Sequence, residues 1–201
     1  MISAATGALI ATIVLNDSIL FSFKKVQFFD FHNFPYYILL GILSGFVSIN
    51  YARTFRKIEH YFSKLKFNYI NKTLFGASIL GVLIFFFPSL FGEGYESIKF
   101  LADNQSRELV QNTVFERFQD SSWILLIFVS LTMLIKVYAT SLTLGAGGNG
   151  GNFAPSLFVG SYLGFSMASF LNLIGVTKLP VGNFTLVGMA GILSGLFHAP
   201  L

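Results

Sequence analysis

Six stretches of this 201-residue chain hold a single charged residue between them, and most approach the length that crosses a bilayer. They run over about 2–16, 35–52, 73–91, 122–144, 154–175 and 183–201, and the one charge is Lys136. A helix needs roughly 20 apolar residues to span the hydrocarbon core. Charged residues make up 11% of the sequence, against about 25% in a soluble domain. Most of the surface therefore does not face water, and the chain reads as an all-α polytopic membrane bundle. Pro35 stands near the start of the second stretch, where a helix tolerates it because a first-turn N–H has no partner anyway. Cysteine is absent, so no disulfide or thiolate metal site is available. His32, His60 and His198 are scattered without metal-ligand spacing. No metal and no cofactor is expected.

The start is apolar at once from Ile2, and the end falls inside an apolar stretch at His198-Ala199-Pro200-Leu201. Both ends read as cuts, so the expectation is a piece of a longer membrane domain. Charge orients it. Residues 53–72 carry Arg53, Arg56, Lys57, Lys64, Lys66 and Lys72 against Glu59, while 93–120 has six carboxylates and three basic residues. Positive loops stay inside, so 53–72 is expected to be a cytoplasmic loop, a solvated face rather than a specific lipid site. The stretches 17–33 and 93–120 are expected outside. Within the latter, Glu93-Gly94-Tyr95-Glu96 reads as an outward cap or a short re-entrant turn. Gly41 and Gly45, Gly160 and Gly164, and Gly191 and Gly195 have the spacing that lets membrane helices approach closely.

Between the fourth and fifth stretches there is no polar linker but a run of glycines, Gly145-Ala146-Gly147-Gly148-Asn149-Gly150-Gly151-Asn152-Phe153-Ala154-Pro155. So much glycine cannot hold a helix, and irregular backbone at membrane depth survives only inside protein or beside a watery cavity. The next helix is expected to begin between Asn152 and Pro155. Its first N–H groups lack partners and carry the positive end of the helix dipole, the arrangement that binds anions and that broken transporter helices use at mid-membrane. From Ser121 to Leu201 there is no carboxylate, and Lys136 and Lys178 are the only formal charges. Membrane segments avoid carboxylates in any case, so this adds modest weight to an anion over a cation. Lys136 either adds positive potential near the anion path or pairs with backbone carbonyls.

Gly145-x-Gly147-x-x-Gly150 fits the dinucleotide fingerprint. It lacks the acidic partner about 20 residues on, and a membrane-length stretch precedes it where a soluble strand is required. There is no phosphate-binding Gly-Lys-Ser/Thr. A membrane enzyme would need carboxylates or histidines near the loop, and none is there. The chain is expected to be no enzyme and to bind no nucleic acid.

Gly150-Gly151-Asn152-Phe153-Ala154-Pro155-Ser156-Leu157-Phe158-Val159-Gly160 resembles the G-G-x-F-x-P-x-L-x-x-G signature of CLC chloride channels and chloride/proton antiporters. Gly188-Met189-Ala190-Gly191 through Ala199-Pro200-Leu201, and Gly92-Glu93-Gly94-Tyr95, are similar to two further family segments. The resemblance covers nearly the whole chain, from the end of the family's helix I through much of its helix O. It implies that residues 1–201 hold most of the second of two inverted repeats. It also implies that chloride is bound by the backbone N–H groups of Asn152 and Phe153, with Gly150, Gly151 and Pro155 shaping the loop. It further implies a homodimer, each subunit with its own path, in a membrane of bacterial inner type. Asn149 replaces a common proline, and Asn152 stands where a fluoride-exporting branch has a carboxylate, which argues against fluoride. The family's serine loop, gating glutamate and late pore tyrosine are not in this sequence, so channel and antiporter both stay open. A secondary transporter for another inorganic or organic anion is the alternative.

Overall fold

The structure is a computed structural model that describes residue 6, residue 10, residue 28 and residues 30–197 except 112, 114 and 119. The first apolar stretch, at 2–16, lies almost wholly outside the described residues, as do His198 to Leu201. Among the described residues six α-helices follow one another without a strand: α1 (Phe34–Lys64), α2 (Tyr69–Phe86), α3 (Tyr95–Ala102), α4 (Ser122–Gly145), α5 (Phe153–Ile174) and α6 (Val181–Phe197). Of these, α1, α2, α4 and α5 are long and apolar enough to cross a membrane, and α6 is shorter. The chain is an integral membrane helical bundle.

α1 differs from its expected extent. Its apolar part ends at Arg53, yet the helix continues through the basic stretch to Lys64, and only 65–68 connects it to α2. Arg, Lys and Glu are good helix formers, so leaving the apolar phase does not end the hydrogen-bond ladder. Its 31 residues extend about 46 Å at 1.5 Å per residue, longer than a hydrocarbon core of about 30 Å. Leu40, Ser44, Ser48 and Tyr51 form one buried stripe at the three- and four-residue spacing of a helix face. Ile38, Ile42, Phe46 and Ile49 point away from the rest of the chain and are exposed.

The acidic stretch 93–120 is more than an outward loop. It folds into α3 and short 3-10 turns, and Ile98 and Leu101 of α3 are fully buried against α5 and α6.

α5 and α6 form the tightest pair. The chain reverses at Gly175, and Asn172 locks the connector by accepting from the Leu179 N–H at 2.7 Å and donating to the Leu179 carbonyl at 3.0 Å. A Cβ added at Gly160 would stand 2.5 Å from the Gly188 carbonyl oxygen, so the two backbones touch. Gly191 and Gly195 of α6 lie against Ser44 and Ser48 of α1, and the Ser48 hydroxyl donates to the Ile192 carbonyl at 3.4 Å. Gly41 and Gly45, by contrast, have no neighbour within 4 Å among the described residues.

Candidate anion site

α4 carries its buried hydroxyls by turning them on its own backbone. Thr132, Thr140 and Ser141 donate to the carbonyls four residues earlier at 2.7, 2.9 and 2.6 Å. The helix then stops at Gly145. The Ala146 N–H still reaches the Leu142 carbonyl at 2.9 Å, and the Gly148 N–H reaches Thr143 at 2.8 Å. Gly147 has φ +95°, a left-handed conformation that glycine adopts without a Cβ penalty. Two freed carbonyls at this end are met from α2. The Thr73 hydroxyl shares its one hydrogen between Ala146 O at 3.0 Å and Tyr69 O of its own helix at 3.1 Å, and Tyr69 donates to Gly147 O at 3.4 Å. The glycine run is thus a break between two helices, and it follows a helix rather than the strand a dinucleotide fingerprint requires.

α5 begins at Phe153 with Asn152 at its N-cap. The N–H groups of Gly150, Gly151, Asn152, Phe153 and Ala154 have no acceptor among the described residues. Pro155 is the third helical residue, and its missing N–H removes a donor that would be unpaired in any case. Ser156 closes the first turn, its N–H bonding to Asn152 O at 3.0 Å. The positive end of a 22-residue helix is therefore left uncompensated.

Two cavities flank this helix start. One, of about 540 Å³, is bordered by Gly150, Gly151, Phe153 and Pro155 and also by Lys136 and Glu93. Lys136 is 3% exposed. Its ammonium donates to the Leu90 and Gly92 carbonyls at 3.0 and 2.9 Å and lies 4.7 Å from the centre of the Phe158 ring. Of the two roles open to it, pairing with backbone carbonyls is what the structure displays. Carbonyls satisfy its N–H bonds without cancelling its charge, and it makes no ion pair among the described residues. At the cavity wall, burial first and the Glu93 carboxylate second push the Tyr95 phenol above its ordinary range, so it stays a neutral hydroxyl at physiological pH.

The other cavity, of about 360 Å³, is bordered by Tyr51, Arg56, Asn152 and Phe197. The expected site residues are therefore split. Gly150, Gly151, Phe153, Pro155 and Lys136 share the first cavity, whereas the Asn152 side chain turns to the second. Phe153 is 54% exposed, with its ring 6.2 Å from that of Phe197. Tyr51 and Arg56 were not legible as site residues. They come from α1, about a hundred positions earlier, and no local spacing ties them to the glycine run.

The description "voltage gated chloride channel" matches residues 1–201 in full. The chain belongs to the voltage-gated chloride channel (CLC) family. Relatives of this CLC chain include an uncharacterized protein of Methanocaldococcus jannaschii, 29% identical over 201 residues. Chloride channel protein CLC-e of Arabidopsis thaliana is 28% identical, and the voltage-gated ClC-type chloride channel ClcB of Escherichia coli is 25% identical. Each match takes in 100% of this chain, but only 45%, 28% and 44% of the respective relative. The chain thus spans less than half the length of the curated relatives it matches. No solved structure gives a significant match.

Proposed function

We propose that this chain lines part of a transmembrane path for chloride, and that the backbone N–H groups of Asn152 and Phe153 bind the ion midway. The observation that carries the reading is the uncompensated start of α5 between two cavities, one walled by Lys136 together with Glu93, the other by Arg56. A helix N-terminus with unpaired amides attracts an anion, and a flanking cation on either side lowers the cost of leaving water. The names of the Arabidopsis and Escherichia relatives support chloride as the ion. Gly150 and Gly151 would let the backbone come close to it, and Lys136 would contribute field without binding it directly. The chain is read as a transporter or channel component rather than an enzyme. The homodimer and the bacterial inner membrane are part of the same proposal, the latter supported by the Escherichia coli relatives.

In the full-length protein, Phe153→Ala removes the ring that fixes the first residue of α5 against Phe197. Chloride affinity measured by calorimetry should fall at least about fivefold, or about 1 kcal/mol. Wild-type affinity in that variant would show that the ring does not position the amides, and no measurable chloride binding by the unaltered full-length protein would overturn the site.

A further inference from the structure

An asparagine just before a helix ordinarily folds its side-chain oxygen back onto the free N–H groups of the first turn. Asn152 does not. Its backbone has φ −90° and ψ −7° rather than the extended shape of a capping residue, and it makes no side-chain cap bond. Its Oδ1 instead accepts from the Tyr51 hydroxyl at 3.3 Å. Tyr51 is 2% exposed and belongs to the buried stripe of α1 that packs through Ser44 and Ser48 against α6. A ring so enclosed cannot turn away without opening that packing. The hydroxyl is thus presented to Asn152 from a fixed position, and the carboxamide oxygen is drawn off the axis of α5.

We infer that Tyr51 is a positioning residue for the anion site: by holding the Asn152 carboxamide, it stops this residue from capping its own helix. The inference rests on the chloride reading above. The competition it describes is intramolecular. Pro155 has no N–H, so a self-cap would take the Ala154 amide. The tethered oxygen would stand there at high effective concentration and put partial negative charge beside the Phe153 amide, whereas chloride arrives from solution. Losing the Tyr51 hydroxyl releases the tether, and a self-cap of ordinary strength would weaken anion binding about fivefold. Asn152 is thus kept off the open helix end by its backbone shape and by the donor from α1 together.

The experiment is a double-mutant cycle in the full-length protein, with chloride affinity read by calorimetry. Tyr51→Phe keeps the ring and removes the hydroxyl, and it should lower affinity about fivefold. Ala at 152 cannot cap, so adding Tyr51→Phe to an Asn152→Ala background should change affinity no further, whatever the affinity of that background. Thr140 of α4 also lies beside the Tyr51 hydroxyl. A role through Thr140 or through packing alone would give the same loss in both backgrounds, and that result overturns the inference. Unchanged affinity in Tyr51→Phe alongside a weakened Phe153→Ala overturns it too and leaves the chloride reading standing. No measurable chloride binding by the unaltered full-length protein overturns both.

Discussion

α2 and α5 are apolar membrane-length helices of equal mean hydropathy, yet 67% of the apolar window of α5 is buried within the chain and only 6% of that of α2. Apolarity says only that a helix sits in lipid. In a bilayer, hydrocarbon is as good a neighbour as leucine, so what separates the two helices is shape. α5 offers Gly160 and Gly164 to the backbone of α6, whereas of the α2 glycines Gly76 alone meets the chain, at the side chain of Ala146, and Gly81 has nothing within 4 Å among the described residues. α1 makes the same point within one helix. Its Ser44 and Ser48 face meets glycines of α6, while Gly41 and Gly45, with the same spacing motif, meet nothing among the described residues. Small residues four apart therefore mark a capacity for close approach and do not name the partner.

The contrast can be broken most severely at Gly164. A Cβ there would run into the Phe184 carbonyl, and two backbones cannot both give way. Gly164→Val should cost more than about 3 kcal/mol and abolish a monodisperse folded peak on size exclusion in detergent. Survival with a wild-type melting midpoint would mean that α5 and α6 are not in backbone contact. A middle-sized effect is expected at Lys136, where the contrast is chemical: a buried cation on a helix whose buried hydroxyls bond their own backbone. Lys136→Met leaves the Leu90 and Gly92 carbonyls without their donor. It should cost about 1–3 kcal/mol of stability and slow chloride flux from reconstituted vesicles. Full stability would show that those carbonyls find other partners. The smallest effect belongs to Gly81→Ala on α2. Alanine is the better helix former by about 0.5–1 kcal/mol, so the thermal midpoint should hold or rise slightly. A drop comparable to that of Gly164→Val would reveal a neighbour packed on α2 and erase the difference between the helices.

The class of fold was legible because charge-free stretches have few other uses than crossing lipid. The break at Gly145–Asn152 was legible because so many glycines cannot sustain a helix, and α5 does start at Phe153. The length of α1 was not. Hydropathy drops at Arg53, but the backbone ladder takes no notice of hydropathy, and the helix runs to Lys64. Nor was α3, whose eight residues are too few to display a period among the carboxylates of 93–120, although Ile98 and Leu101 are core residues. The second wall of the candidate site was the least legible part. Tyr51 sits in an ordinary apolar stretch, and only the packing of α1 across α4 and α6 brings its hydroxyl to Asn152.

The hydroxyls of Thr73 and Tyr69 give the break a polarity. Where one helix stops and another starts, a negative end and a positive end lie close together, and left alone the two would partly cancel. Here the negative end is blunted by two donors from α2, while the positive end keeps its field. The junction is lopsided by construction, and α2, only 6% of whose apolar window is buried in the chain, sets through Thr73 how unequal its two ends are.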